Sequence, residues 1–120
     1  MFRRLIVCVF AFILLAGVTD AAPRYKAVVL HPSGFLFSEA NGTSDGQQVG
    51  WGVGWGSTQH ALLWSGTAGS CVDLHPSGFR SSEAYGVSTG QQVGIICPDV
   101  YIEHAALWSG TAQSCIDLHP

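Results

Sequence analysis

The sequence predicts an all-β chain made of two tandem copies of one four-stranded antiparallel unit. Three observations carry this. His31-Pro32-Ser33-Gly34-Phe35 returns 44 residues later as His75-Pro76-Ser77-Gly78-Phe79. Residues 31–74 overlay 75–118 without a gap, and 27 of the 44 positions are identical, far beyond chance, so one structural unit is used twice. Gly occurs 15 times and Pro five times, and no window keeps a helical apolar period over three turns, which favours short strands and many turns.

The first segment reads as an address. Met1–Arg4 carries two positive charges, Leu5–Val18 is apolar apart from one Gly, and Thr19-Asp20-Ala21 is framed by small residues. This is the order of a secretory signal peptide spanning 1–21, cut after Ala21. The apolar run rises only about 21 Å as a helix, short of the ~30 Å hydrocarbon core, so a permanent span is not expected. Val18 stands where a lipidated Cys would be needed, so no lipid anchor is expected. The expected location is extracellular or periplasmic. Residues 22–30 follow, and Ala27-Val28-Val29-Leu30 aligns with Cys71-Val72-Asp73-Leu74 and with Cys115-Ile116-Asp117-Leu118. The segment reads as the final strand of a preceding partial repeat. His119-Pro120 begins the phrase a third time.

Within each repeat four strands are expected. The first is Ser38–Thr43, matched by Ser82–Val87, and it ends in Ser44-Asp45-Gly46 or Ser88-Thr89-Gly90, where Gly serves a tight turn. Gln48–Val53 and Gln92–Cys97 form the second, His60–Trp64 and His104–Trp108 the third. After the turn Ser65-Gly66-Thr67-Ala68, repeated as Ser109-Gly110-Thr111-Ala112, come the fourth strands Cys71–Leu74 and Cys115–Leu118. His-Pro-Ser-Gly punctuates, because Pro cannot donate to a ladder. Helix is expected only in residues 1–21.

Four antiparallel strands per repeat of this length match a β-propeller blade of ~40–45 residues. The phrase Ala84-Tyr85-Gly86-Val87-Ser88-Thr89-Gly90-Gln91-Gln92-Val93-Gly94, then His104-Ala105-Ala106-Leu107-Trp108, then Asp117-Leu118, resembles the HAF-type extracellular repeats of bacterial secreted proteins. The namesake Phe is absent, since His60-Ala61-Leu62 and His104-Ala105-Ala106 stand there. The resemblance implies a propeller-like fold and names no activity. Propellers close with about four to eight blades. The expected architecture is therefore an incomplete ring of about two blades. Either several chains associate to complete a propeller, or the chain is a remnant of a longer array.

Composition excludes several functions. Charged residues make up 11 % and the formal net charge is −3, which lacks the basic footprint of a nucleic-acid binder. Hydrophobic residues at 48 % argue against disorder. Residues repeated at equal positions read as scaffold. His60 and His104, Trp64 and Trp108, and Asp73 and Asp117 are such pairs. A metal site needs three or four ligands converging on one point, whereas repeated residues sit one unit apart, so no metal and no cofactor are expected. Neither a Gly-x-Ser-x-Gly elbow nor a closely placed carboxylate pair is legible, and no enzymatic activity is expected. Cys71, Cys97 and Cys115 remain after cleavage, and an odd count leaves one thiol free or intermolecular. Cys97 and Cys115 lie two strand spacings apart, about 9–10 Å, beyond disulfide reach.

Specificity is expected where the repeats differ. Residues 51–59 read Trp-Gly-Val-Gly-Trp-Gly-Ser-Thr-Gln against Ile-Ile-Cys-Pro-Asp-Val-Tyr-Ile-Glu at 95–103. Variable connections on a constant scaffold are where binding tends to sit. Trp51 and Trp55 share one face of an extended segment and are the first binding candidates; Asp99 and Tyr101 are the second. The expected function is a non-catalytic structural or interaction module, the alternative a carbohydrate-binding module using the Trp51/Trp55 face. Expected partners are further copies of the chain and a glycan or protein ligand, with no nucleic acid and no membrane span after cleavage.

Overall fold

The computed structural model describes Ala22 and residues 24–120. The expected signal segment lies outside them. Eight strands form two four-stranded antiparallel sheets, each a simple meander. The first holds β1 (Phe35–Ser44), β2 (Gln47–Gly54), β3 (Gln59–Trp64) and β4 (Val72–Asp73). The second holds β5 (Ser81–Ser88), β6 (Gln91–Asp99), β7 (Ile102–Trp108) and β8 (Ile116–Asp117). The strand pairing respects the division at residue 75, and the described residues do not close into a ring.

The two meanders share a register because they share the residues that set it. Thr43 pairs with Gln48 and Val87 with Gln92, either side of tight turns in which Asp45 and Thr89 adopt left-handed φ of 52° and 48°. Both first strands carry a bulge, between Ala40 and Gly42 and between Ala84 and Gly86. A bulge sharpens local twist. β4 and β8 span only two residues each, fewer than the expected fourth strands. Before them lies a feature the apolar pattern did not announce: single 3₁₀ turns at Ala68–Ser70 and Ala112–Ser114. The Ser70 hydroxyl donates to the Thr67 carbonyl at 2.7 Å and accepts from the Ser65 amide at 2.8 Å, so one side chain closes the turn. Ser114 does the same with Thr111 and Ser109. Residues 24–30 carry no strand.

The core lies between the sheets. Val49, Ala61, Leu63 and Leu74 of the first repeat meet Ala84, Ile96, Ala106 and Trp108 of the second, all buried, with Phe79, Val87 and Cys115 at the margin. Alternation explains the sides: in β3, Ala61 and Leu63 face the second sheet, while Leu62 and Trp64 face away. Those two are also buried. Phe35 and Leu62 fill the space over Gly52, where an added Cβ would lie 2.7 Å and 2.8 Å from them. In the second repeat Ile96 occupies the Gly52 position and Ala106 the Leu62 position. Bulk has moved between neighbouring strands while total volume is nearly kept, the substitution that cores tolerate best.

Candidate functional site

Polar side chains converge along the seam between the sheets. β3 brings Ala61 against β5, and its amide donates to Ser82 Oγ at 2.9 Å. Ser82 is fully buried. His75 Nδ1 lies 2.8 Å from the same oxygen and its Nε2 lies 3.2 Å from the Phe79 carbonyl. Ser82 Oγ accepts from Ala61, so its own proton goes to Nδ1, and Nε2 carries the hydrogen donated to Phe79; the tautomer is assigned from this network. The His60 ring stacks on His75 with centroids 4.1 Å apart and planes at 12°. Asp73 ties both together: Oδ2 lies 2.7 Å from His60 Nδ1, and Oδ1 accepts from the His75 amide at 2.9 Å. The fourth strand and the following turn are thereby clamped onto the third.

The second repeat rebuilds the clamp. His104 Nδ1 lies 2.7 Å from Asp117 Oδ2, the His119 amide donates to Asp117 Oδ1 at 2.9 Å, and the His104 and His119 rings stack at 4.1 Å. The His104 hydrogen bond, then the His119 amide, hold the Asp117 carboxyl below its ordinary range. His31 repeats the other half, with Nδ1 2.7 Å from Ser38 Oγ and Nε2 3.0 Å from the Phe35 carbonyl. Carboxylate, imidazole and hydroxyl thus occur together at the internal seam. Ser82 is fully buried and its oxygen is bonded on two sides, so these groups tie the two sheets together at the seam.

Two more links cross the seam. Asn41 Nδ2 donates to the Ala84 carbonyl at 3.1 Å, and the Thr89 amide donates to Asp45 Oδ2 at 3.3 Å. At its edge, Gly56, Ser57, Thr58 and Gln59 of the β2–β3 turn line one cleft with Arg80 and Ser81. A second cleft is lined by His75, Pro76, Phe79, Ile96, Cys115 and Asp117. Its one carboxylate is already engaged by His104.

The variable segment is divided by its placement. Trp51 sits mid-β2 opposite Ala61 and is half-buried, whereas Trp55 follows the strand and is 80 % exposed. Asp99 ends β6 and accepts from the Val100 amide at 2.7 Å. Tyr101 is fully exposed, with a left-handed φ of 68°. Trp64 and Trp108 are buried, and neither indole N–H has a hydrogen-bond partner among the described residues. Cys71, Cys97 and Cys115 are free. Burial, then Asp73, pushes the Cys71 thiol up to about 11, and burial, then Asp117, raises Cys115, so both are protonated at neutral pH.

Sequence reasoning missed Ser82 and the glutamines. Gln48 Oε1 accepts from the Gly66 amide at 2.9 Å, and Gln92 Oε1 from Gly110 at 2.8 Å, each buckling the second strand to the turn after the third. Their signal was identity in both repeats. Among the described residues no group of three or more His, Cys, Asp or Glu is placed to hold a metal ion, and no helix is long and apolar enough to cross a membrane. Set against known protein families, curated proteins and solved structures, the chain matches none.

The seam strut has a pH signature. Burial, then the neighbouring His60, lowers the His75 pKa below its ordinary 6.5. The unfolded chain therefore takes up this proton first as pH falls. The His75 contribution is fully present above 6.5 and is lost as pH falls through 6.5 toward the lower folded value. Asp117 adds a second loss in a more acidic window, below 3.8. Urea midpoints at pH 7.5 and 5.5 are expected to drop on acidification, and His75→Gln is expected to flatten that drop while leaving the loss at lower pH.

Proposed function

We propose that this chain is a non-catalytic, secreted stacking module, a segment of propeller-like scaffold that presents apolar sheet faces to another structural unit. One observation carries the reading. Val49, Ala61, Leu63 and Leu74, buried at the seam, recur in the second repeat as the same residue types, Val93, Ala105, Leu107 and Leu118. There they form a face on which Val93 and Leu118 are 48 % and 51 % exposed. A repeat unit buries such a face by stacking, so an uncovered copy is a docking surface. The repeated His, Asp, Ser and Gln side chains are engaged in holding each unit together, which supports a structural role for them. The N-terminal pattern and the HAF-type resemblance support secretion. Sugar binding at Trp51 and Trp55 is less favoured, because only Trp55 stands open.

The test extends the chain after Pro120 with a copy of residues 77–118, continuing the pattern by one repeat. The added unit is expected to stack. The longer chain should then unfold in one transition with a higher midpoint and a steeper denaturant slope, and the Leu107 amide should gain exchange protection. An added unit that unfolds separately, with the original transition unchanged, would remove the reading.

A further inference from the structure

We propose that the occupant of the exposed face is a second copy of this chain, docked head to tail, with the second sheet of one copy stacked on the first sheet of the next. The proposal rests on the stacking reading and adds the partner.

The argument comes from where the repeats differ. At the internal seam, Gly56, Ser57, Thr58 and Gln59 line a cleft with Arg80 and Ser81, so both sides are polar. The counterparts of the turn residues are Val100, Tyr101, Ile102 and Glu103, and the first three are 44 %, 100 % and 47 % exposed. The counterpart of Arg80 is Leu36, 42 % exposed; Phe37, the counterpart of Ser81, pairs with Val53 and by alternation lies on the face that Val49 and Trp51 turn toward the second sheet. Both members of the pair have changed from polar to apolar, at opposite ends of the two-sheet stack. Ser57 and Tyr101 share a left-handed φ of 59° and 68°, so the turn has kept its shape while its side chains changed. A head-to-tail neighbour sets Leu36 of one copy against Val100, Tyr101 and Ile102 of the other. An unrelated partner would give no reason for the two ends to change in step.

The rest of the seam transfers. On the tail side Val93, Ala105, Leu107 and Leu118 reproduce the buried set. On the head side Ala40, exposed, stands for Ala84, and Phe35 stands for Phe79; Trp64 stands for Trp108 and Gly52 with Leu62 replaces Ile96 with Ala106 at nearly equal volume, Trp64 and Leu62 being already buried within the single chain. Ser38, the counterpart of Ser82, stands ready to accept from the Ala105 amide as Ser82 accepts from Ala61. Two links do not transfer: Tyr85 replaces Asn41 and Thr89 replaces Asp45. The seam between copies thus exchanges two polar links for an apolar turn contact. Only one segment fits beside β7. Ile116 and Asp117 already pair with it and His119 stacks on His104, while residues 24–30 form no strand, so the N-terminal segment of the incoming copy gives way. Such a heterologous contact closes into a ring or grows as a filament, depending on the rotation between copies.

Light scattering on the purified chain, freed of residues 1–21 by a secreting host, tests this with three variants. Ala40→Glu blocks the head, Leu107→Glu blocks the tail, and Tyr101→Asp weakens the tail at a fully exposed position that leaves the isolated fold intact. The parent chain is expected as rings of about two to four copies, from a closure of about four to eight sheets, or as filaments that lengthen with concentration. Ala40→Glu and Leu107→Glu are each expected as single chains, their equimolar mixture as a dimer that grows no further. Tyr101→Asp should weaken association at least tenfold. A parent chain that stays single at every concentration would overturn the proposal, as would Ala40→Glu associating by itself, which means like faces meet. If the three-repeat extension stacks while the parent chain stays single, the stacking reading stands and the second-copy assignment falls.

Discussion

Gly94→Ala is expected to destabilise the fold by ~3–5 kcal/mol, with Gly50→Ala its equal in the first repeat. A Cβ at Gly94 would fall on the Glu83 carbonyl oxygen, well inside contact distance, and 2.8 Å from the Ala84 Cα; at Gly50 it would meet Glu39 and lie 2.9 Å from the Ala40 Cα. These are backbone atoms of the paired strand and cannot swing aside. The approach comes from register: Ala84 pairs with Gly94 and Ala40 with Gly50, each beside the bulge in the first strand. Accepting a methyl group means parting the strands and losing ladder hydrogen bonds around the bulge. That loss approaches the whole stability of a small domain, ~5–15 kcal/mol. Gly69→Ala is the control, since a Cβ there meets nothing within 4 Å and its φ is not left-handed. It should change stability by no more than ~0.5 kcal/mol. Urea unfolding followed by Trp fluorescence measures all three, and an unchanged midpoint for Gly94→Ala would mean that β5 and β6 do not pair in this register.

The same repeat arithmetic that locates these glycines makes most of the fold legible. Identity at an offset of 44 residues places equivalent strands, and turn chemistry such as Ser88-Thr89-Gly90 separates them, so every strand in the structure overlaps the segment expected for it. What escaped the sequence depends on contacts between distant segments. His60, Asp73 and His75 are brought together only because β4 returns antiparallel along β3, with Leu62 opposite Asp73. Read along the chain, they are three separate repeated positions. Nor does alternation say which side of β3 meets the next repeat. Ala61-Leu62-Leu63-Trp64 is apolar on both sides, and all four residues are buried. The candidate pair Trp51 and Trp55 differ in exposure because β2 ends at Gly54, between them, and that boundary is set by a turn in which the Ser57 amide donates to the Gly54 carbonyl at 3.0 Å.

Leu63→Ala and Leu107→Ala are expected to differ sharply although residue type, strand position and change are the same. Leu63 is 4 % exposed in the core between the sheets, packed with residues of the second repeat. Truncating it removes three carbons from a closed environment and leaves a cavity, at a cost of ~2–5 kcal/mol. Leu107 occupies the same position on β7 but is only half-buried, because the face it shares with Val93 and Leu118 is open in a single chain. Its loss should cost under ~1 kcal/mol in the isolated chain, since no closed cavity forms and the transfer term is partial. Under conditions of association the order changes: Leu107 acquires the surroundings of Leu63, and its truncation should then cost a comparable amount, read as weaker assembly instead of a lower unfolding midpoint. Measuring both variants by urea unfolding at low and high protein concentration separates the two cases. Equal costs at every dilution would show that the second sheet's outer face is covered within one chain, which is incompatible with stacking between copies; a Leu107 cost that rises with concentration is what a repeated seam requires.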